Sequence, residues 1–344
     1  MQSYLDILSD GDPLSRPEAE DVMRHMMSGD APPEHVAALL MGVRTRGETL
    51  DELVGFTRVM RDFAVTVDAG DPHAVDLCGT GGDGADTFNI STTASFVVAG
   101  AGVTVAKHGN RSVSSKSGSA DVLEALGIQI DLKKDGVEHC LHEAGIAFLF
   151  APYFHPAMKH VMPVRKSLGV RTFFNILGPL CNPAGVTRQL VGAFNTDTAE
   201  TMVKILARLD ADHVVTVHSR DGMDELSISD ATTVFEYDDS ESDAVPRSRE
   251  VGPEQHGFDR QRATQLEGGT AIENANILKG ILSGQDRSAR RDVVVLNAAY
   301  ALHASDRFDS LDDCVEAARE SIDAGAAMQK LQALIDVSQQ APTG

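Results

Sequence analysis

Two loops rich in small residues each follow a short apolar run, and they constrain the fold more than any other feature of the sequence. The first loop, residues 79–84, follows the apolar residues 74–78, and the second, residues 107–121, follows residues 103–106. Such short runs predict buried strands, and helical patterns follow both loops. Parallel sheets bind their ligands at the carboxyl ends of strands, where both loops would lie. We therefore predict two strand–loop–helix units that share one ligand site.

The composition of the two loops indicates a phosphorylated ligand. Glycines let a backbone approach a phosphate closely, and unpaired N–H groups at a helix start present partial positive charge to it. The second loop adds the charges of Lys107, Arg111 and Lys116 and several serine hydroxyls. A single run of Gly, Ser and Asn is more often an ordinary surface turn. The occurrence of two such loops after strands favours the ligand site.

The pattern along the chain predicts an α/β fold with two domains. Residues 1–70 contain capping boxes at Ser15 and Thr49, a helix start at Pro33 and helix stops at Gly29 and Gly47, which indicate a small helical domain. Helices from about 155–185 are expected to join it. Residues 71–344 alternate strand and helix candidates, which predicts a larger α/β domain with a mainly parallel central sheet. Strands are expected at 74–78, 103–106, 146–150, 189–194, 213–218 and 232–237.

The remaining elements follow from the same patterns. Helices are predicted at 91–101, 120–126, 135–144, 197–209, 271–282, 290–304 and 311–339. The acidic, proline-containing stretch from 238 to about 257 is predicted to be an exposed loop.

The net charge of the chain limits its partners. The 344 residues include 51 acidic and 30 basic residues, for a formal charge of −21. A surface this negative repels nucleic acid and anionic membranes. The acidic surface suggests adaptation to high salt, with an acidic mesophilic enzyme as the alternative. No signal peptide or membrane-length apolar stretch is apparent, and the four scattered cysteines lack zinc-ligand spacing, so a cytoplasmic protein with reduced thiols is expected.

Four segments together resemble the anthranilate phosphoribosyltransferase family. They are residues 79–84, 87–92, 107–127 and 171–184, and the resemblance extends over nearly the whole chain to Asp224 and Glu225. It implies transfer of the 5-phosphoribosyl group of phosphoribosyl pyrophosphate to anthranilate, with release of pyrophosphate, in the second step of tryptophan biosynthesis from chorismate. It also implies a homodimer formed through the helical domain. The reaction develops positive charge on the ribose and negative charge on the pyrophosphate, so Mg²⁺ and oriented N–H donors are expected to provide most of the acceleration.

The resemblance also implies the site residues. No side chain is assigned as a catalytic acid, base or nucleophile, because an aromatic amine is already a neutral nucleophile at pH 7. The residues implied for phosphoribosyl pyrophosphate are Gly79, Gly82, Asp83, Thr87, Asn89, Ile90, Ser91, Thr92, Lys107, His108, Gly109, Asn110, Arg111, Ser112, Val113, Ser114, Ser115 and Ser119. Asp83 carries the same charge sign as phosphate, so it is expected to accept a ribose hydroxyl or to organise the loop.

Metal and anthranilate contacts complete the expected site. Asp224 and Glu225 are hard oxygen ligands suited to Mg²⁺, and the resemblance adds Ser91 as a further contact and implies two ions. An isolated Asp-Glu pair is usually solvated surface, so its position after a strand and the resemblance carry this assignment. Arg165, a forked donor, matches the family's contact to the anthranilate carboxylate. Its alternative is a surface helix charge. Gly79 and Asn110 match further anthranilate contacts, Pro179 is a candidate wall for the ring, and the role of His108 stays open.

Two other functions compete with this assignment. A pyrimidine nucleoside phosphorylase pairs similar helical and α/β domains and also acts at an anomeric carbon. Residues 82–83, 107–110 and 224–225 fit the transferase better. A non-enzymatic relative that binds nucleic acid would need a basic face, against which the charge of −21 argues.

Overall fold

The first four helices form a bundle at the start of the chain. The computed structural model describes residues 1–112, 116–241 and 244–342. The bundle comprises α1 (Gln2–Ser9), α2 (Arg16–Ser28), α3 (Pro33–Arg46) and α4 (Leu50–Asp62). Capping boxes at Ser15 and Thr49 open α2 and α4, while Gly29 and Gly47 follow the ends of α2 and α3, as the sequence predicts. The apolar faces of these helices pack together because residues such as Val22, Met26, Val54 and Phe56 are fully buried.

The rest of the chain forms a seven-stranded sheet covered by helices. The strands are β1 (Val75–Gly79), β2 (Val105–Gly109), β3 (Ile146–Phe150), β4 (Arg188–Gly192), β5 (His213–Ser219), β6 (Thr232–Asp238) and β7 (Arg247–Val251). The intervening and following helices are α5 (Ile90–Gly100), α6 (Ser119–Ala125), α7 (Lys134–Ala144), α8 (Ala151–Phe154), α9 (Met162–Leu168), α10 (Phe174–Leu177), α11 (Thr196–Ala207), α12 (Ala271–Leu282), α13 (Ala289–Ala304), α14 (Leu311–Asp323) and α15 (Ala326–Gln340). The predicted fold class is confirmed: a helical bundle precedes a larger α/β unit with a mostly parallel sheet.

The strand order fixes where a ligand can bind. The order across the sheet is β3-β2-β1-β4-β5-β6-β7. Neighbouring strands from β3 to β5 are parallel, whereas β6 and β7 are antiparallel additions. The chain moves from β1 through β2 to β3 on one side and then returns to place β4 on the other side of β1. This reversal opens a crevice at the carboxyl ends of β1 and β4, which is the usual ligand position in such sheets.

Helices from the middle of the chain pack against the first bundle. Val164 of α9 and Leu177 of α10 belong to the same buried cluster as the bundle helices. Phe173 stacks on Phe56 of α4 with ring centroids 4.4 Å apart. Residues from 155–185 thus share a buried cluster with the bundle, and the division into domains, with its boundary at residue 70, stays a prediction.

Two element predictions were wrong. Residues 238–257 are not a continuous exposed loop, because they include strand β7, which pairs with β6. The sequence hides this strand because only Val251 of its five residues is buried, as expected for an edge strand whose backbone pairing comes from its neighbour. Residues 311–339 form two helices and not one. Gly325, at φ +78°, lies between α14 and α15 and supplies the left-handed conformation that separates them.

The structure bears on two further expectations. The four cysteines are buried and none forms a disulfide. Among the described residues, no helix has the length and apolar composition needed to cross a membrane.

Candidate active site

A cleft of about 910 Å³ opens at the carboxyl ends of β1 and β2, beside the segment 162–175. The two predicted loops form its walls, since the first leads from β1 to α5 and the second from β2 to α6. The predicted site residues that line it are Gly79, Gly82, Asp83, Thr87, Asn89, Ile90, Ser91, Thr92, Lys107, His108, Gly109, Asn110, Arg111, Ser112, Ser119, Arg165, Asp224 and Glu225. Val113, Ser114 and Ser115 lie outside the described residues.

Asp224 and Glu225 each accept a backbone hydrogen bond from the segment that leads from β1 into α5. The Gly81 N–H donates to Asp224 Oδ2 at 2.8 Å, and the Ser91 N–H donates to Glu225 Oε1 at 3.1 Å. The close approach of this segment to β4 requires Gly192, because a Cβ there would lie 1.6 Å from the backbone oxygen of Asp224. Residues 224–225, although distant in sequence, are thereby held against the loop after β1 and the start of α5.

The environment of the two carboxylates favours their neutral forms or a bound cation. Burial, with the negative charge of Asp83, raises the pKa of Asp224 to about 7. Burial, with the charge of Asp224, raises the pKa of Glu225 to about 8. No arginine forms an ion pair with either carboxylate in the described part of the chain. Two adjacent carboxylates with oxygen lone pairs facing a cleft are a donor set that suits Mg²⁺.

Lys107 lines the same cleft and interacts electrostatically with both carboxylates. It is 4% exposed, donates to the Leu77 backbone oxygen and lies 3.4 Å from Ser91 Oγ. Burial lowers the pKa of Lys107, whereas the negative charges of Asp76, Glu225 and Asp224 oppose that shift. The Leu77 oxygen and Ser91 Oγ therefore hold Lys107 Nζ in one place beside the two carboxylates.

Asp76, which the sequence analysis did not single out, supports both loops from below. It is fully buried in β1, and it accepts hydrogen bonds from the His108 N–H at 3.1 Å and from Asn182 Nδ2 at 2.8 Å. Asn182 Nδ2 also donates to the Ala106 oxygen at 2.8 Å. Burial raises the pKa of Asp76, and the charge of Lys107 and these donors offset only part of that shift. A charged residue inside the apolar run 74–78 was the available signal.

Two arginines enter the cleft from the segment 162–175. The Arg165 guanidinium lies 5.0 Å from the Phe174 ring centroid, and burial lowers its pKa. Arg171 lies 4.7 Å from the Phe194 ring centroid and donates through Nη2 to the Gly82 oxygen at 2.7 Å. Neither forms an ion pair with a carboxylate of the described residues, although acidic residues far outnumber basic ones in the chain. Arg171 lies in a segment that carries the family resemblance but was not predicted as a site residue.

Other predicted residues have structural partners as well as a place in the cleft. Asn89 donates to the Ser117 oxygen at 3.2 Å and accepts from Asn274 at 2.9 Å, so it links both loops to α12. Arg111 is paired with Asp121 and Glu124. Asp83 accepts from the Ala85 N–H at 3.3 Å and the Asp224 N–H at 3.4 Å, which agrees with a role in organising the loop.

His108 is a neutral group at the inner end of the cleft. Burial lowers its pKa to about 3, and its ring lies 5.2 Å from that of His155. Its Nε2 atom is buried and has no hydrogen-bond partner among the residues that the structure describes. Pro179, the candidate wall for an aromatic ring, is buried, and it is absent from the described residues that line the cleft.

Ser219, the last residue of β5, holds the segment that carries the two carboxylates. Ser219 Oγ donates to the Glu225 oxygen at 2.7 Å, and the Ser219 N–H donates to the Met223 oxygen at 3.0 Å. Arg220 turns outward and pairs with Glu250 of β7. The Ser219 side chain and backbone thus both fix the loop that leads to Glu225.

Comparisons with known proteins cover both parts of the chain. Residues 2–64 match the family model of the glycosyl transferase family helical bundle domain, and residues 71–328 match that of its a/b domain. The chain is 72% identical over 341 residues to the anthranilate phosphoribosyltransferase of Salinibacter ruber, with 99% of each protein covered. It is 50% identical over 325 residues to that of Moorella thermoacetica, with 94% of each covered.

Solved structures agree with these sequence matches. The anthranilate phosphoribosyltransferase of Thermus thermophilus has a TM-score of 0.90 at 38% identity, with 97% of this chain and 99% of that chain covered. The Saccharomyces cerevisiae enzyme in complex with PRPP and Mg has a TM-score of 0.88 at 27% identity, with 98% of each chain covered.

Proposed function

This chain belongs to the anthranilate phosphoribosyltransferase family, and from that premise we propose that it transfers the 5-phosphoribosyl group of phosphoribosyl pyrophosphate to the amino group of anthranilate, with release of pyrophosphate. We further propose that this is the second step from chorismate to tryptophan. The observation that carries the proposal is that Asp224 and Glu225 are bonded to the segment between β1 and α5, in a cleft that the loop after β2 also lines. This arrangement supports a cation site beside bound phosphates.

The residues of the cleft fit the metal that the reaction needs. Asp224, Glu225 and Ser91 would hold Mg²⁺, because two carboxylates of raised pKa lie beside a hydroxyl and carry no arginine partner in the described residues. When bound, Mg²⁺ would neutralise the charge that grows on the departing pyrophosphate. We propose two ions, since the pair offers up to four carboxylate oxygens. The yeast relative was solved with PRPP and Mg.

Chain residues would hold the donor in reach of that site. The loop after β1 and the loop after β2 would surround its phosphates, with Lys107 fixed between them by the Leu77 oxygen. Asp83 would organise the first loop through the Asp224 N–H. Asp76 and Asn182 would hold the end of β2, from which the second loop starts, against β1. The protein's contribution is therefore a rigid, charged frame that matches the charge developing in the transition state.

The acceptor would bind on the side of the cleft that carries Arg165. A forked guanidinium can give two hydrogen bonds to the anthranilate carboxylate, and Phe174 supports its plane. Asn110 and Gly79 would contact the same molecule. His108 remains neutral because of burial, so its ring would orient the acceptor and would not act as a cation.

The decisive test follows anthranilate fluorescence in the presence of phosphoribosyl pyrophosphate and Mg²⁺. We expect signal loss that stops when the metal is chelated. In Arg165→Ala, KM for anthranilate should rise about 10–100-fold, because a hydrogen bond to a charged group is lost. The exposed Arg287→Ala is the control and should keep wild-type constants. Phosphorolysis of a pyrimidine nucleoside without anthranilate turnover would overturn the assignment.

Three properties remain proposals about the protein in its setting. We propose a homodimer through the helical bundle, a cytoplasmic location and an acidic surface adapted to high salt. The same fluorescence assay and thermal unfolding, run from dilute buffer to molar salt, test the last of these. Best activity and stability in dilute buffer would contradict it.

A further inference from the structure

A cluster of nitrogen and oxygen donors lies where the parallel strand β5 begins. This is the opposite end of the strands from the cleft, and we call it the far edge of the sheet. His213 is the first residue of β5, Glu236 lies near the end of the antiparallel β6, and His303 lies in the last turn of α13. One donor atom from each of these three side chains lies within 4.8 Å of the others. Three elements that are distant in sequence thus present a His-Glu-His set on one spot, which the transferase reaction does not use.

Two histidine nitrogens converge on one carboxylate oxygen. His213 Nε2 lies 3.1 Å and His303 Nε2 lies 2.7 Å from Glu236 Oε1. Ligands at about 2.0–2.1 Å from a tetrahedral zinc ion lie roughly 3.4 Å from one another. An ion would therefore need only outward shifts of several tenths of an ångström, with Glu236 Oε1 moving away from the two nitrogens.

The surroundings hold these side chains in a ligand-like arrangement. Asp306 Oδ1 lies 2.6 Å from His213 Nδ1, so it fixes the ring and leaves Nε2 directed at the cluster. Carboxylates in this outer position orient metal-binding histidines in many proteins. Arg249 pairs with Glu236 Oε2, which leaves Oε1 for the cluster, and Arg188 pairs with Asp306. Two of the three candidate ligands, His213 and Glu236, are therefore oriented by a second residue.

Burial leaves one side of the cluster open. The His213 side chain is 1% exposed, whereas those of Glu236 and His303 are 17% and 27% exposed. An ion could reach the cluster from solvent and keep a water as its fourth ligand.

We propose that His213, Glu236 and His303 form a second divalent-metal site, selective for zinc-like ions over Mg²⁺, that clips β5, β6 and the end of α13 together. Two imidazole nitrogens and one carboxylate favour zinc, cobalt or nickel, whereas Mg²⁺ prefers oxygen ligands. On binding, the ion displaces the Nε2 protons that face Glu236, and His213 keeps the Nδ1 proton that it donates to Asp306. The alternative to a bound ion is a protonated His213. Burial lowers the pKa of His213, but Asp306 and Glu236 outweigh that effect and raise it to about 9.

The test uses untagged, chelator-treated full-length protein titrated with Co²⁺ in excess Mg²⁺, which keeps the oxygen site at Asp224 and Glu225 filled. We expect one equivalent of Co²⁺ to give the visible absorption of a site with nitrogen ligands, to be displaced by Zn²⁺, and to raise the unfolding temperature. His303→Ala should weaken binding at least 100-fold, because it removes a ligand from a partly exposed position. Asp306→Asn should weaken it about 10–100-fold through ring orientation.

The control is His142→Ala, which removes a histidine beside Glu143 on the exposed face of α7 and should bind as the wild type does. No stoichiometric cobalt spectrum in Mg²⁺, or a His303→Ala variant with wild-type affinity, would overturn the proposal. Either result would assign the cluster to a protonated ion-pair network only. Both readouts are independent of transferase activity, so they can fail while the proposed function stands.

Discussion

The carboxylates at the cleft and at the far edge of the central sheet have pKa shifts in opposite directions. At the cleft, Asp224 and Glu225 receive backbone N–H groups, and their pKa values are raised by burial. At the far edge, Glu236 is bound by Arg249 and two histidines. Although burial opposes it, the hydrogen bonds from these histidines and the charge of Arg249 hold the pKa of Glu236 far below its usual range.

The arginines at the two places also differ in their partners. Arg188 and Arg249 at the far edge are matched to carboxylates, whereas Arg165 and Arg171 at the cleft lie over aromatic rings. The matched charges at the far edge stabilise the fold even before an ion binds there. A cleft with separated charges is complete only when anionic ligands and a cation bind to it, so its cost in stability is explained by function.

The largest expected effect comes from neutralising the cleft carboxylates. In the double variant Asp224→Asn/Glu225→Gln, kcat/KM should fall about 10³-fold or more, because the cation that stabilises the leaving group loses its ligands. Thermal stability without Mg²⁺ should not fall, since the change removes repulsion between two like charges. The fluorescence assay across Mg²⁺ concentrations and an unfolding curve measure both quantities.

A matched control for that double variant is Asp312→Asn/Asp313→Asn. This adjacent acidic pair is exposed at the start of α14, far from the cleft, and its loss should leave kcat/KM unchanged. A cleft variant that unfolds more easily than wild type in chelator would show that Asp224 and Glu225 serve the fold, and the contrast between the two edges would be lost.

The second prediction concerns the far edge, where a substitution should lower stability and leave activity unchanged. Glu236→Gln should cost about 3 kcal/mol of unfolding free energy in chelator-treated protein, because it leaves Arg249 and the two histidines without their shared anion. Its kcat/KM should stay within about twofold of wild type. Chemical denaturation and the fluorescence assay provide the measurements.

Glu250→Gln is the control for Glu236→Gln on the same sheet. Glu250, on β7, forms an exposed ion pair with Arg220. An exposed pair of this kind contributes less than about 1 kcal/mol. If Glu236→Gln costs no more than Glu250→Gln, the far-edge network does not stabilise the fold in the way that we infer.

The sequence predicted the cleft better than the far edge for a physical reason. The six predicted strands are found within a few residues of their expected bounds, because apolar runs mark buried backbone. The loops that follow β1 and β2 meet because parallel neighbours end at one edge. Strand β7 escaped prediction because its pairing with β6, and not its own polar residues, holds it in the sheet.

Side chains whose roles depend on distant partners could not be predicted. Asp76 acquires its role through Asn182, 106 residues away in the chain. The far-edge cluster joins residues from β5, β6 and α13, so no local spacing reveals it. Gly325 separates two helices within a continuous helical pattern, and a single glycine is a weak signal in a sequence. The metal, phosphate and anthranilate contacts remain predictions that await ligand-bound measurements.

The smallest expected effect concerns Arg171, which sharpens the contrast between matched and separated arginines. Arg171→Ala removes the hydrogen bond to the Gly82 oxygen and the stacking on Phe194, so the loop after β1 loses a tether. We expect kcat/KM for phosphoribosyl pyrophosphate to fall about tenfold, the size of one charged hydrogen bond. KM for anthranilate should change less than it does in Arg165→Ala, and Arg171→Lys should recover only part of the loss, since an ammonium lacks the planar fork. Steady-state kinetics with each substrate varied in turn, with Arg287→Ala as the control, separates the two arginines. Equal increases in both KM values would mean that Arg171 shapes the whole cleft and does not specifically position the glycine loop.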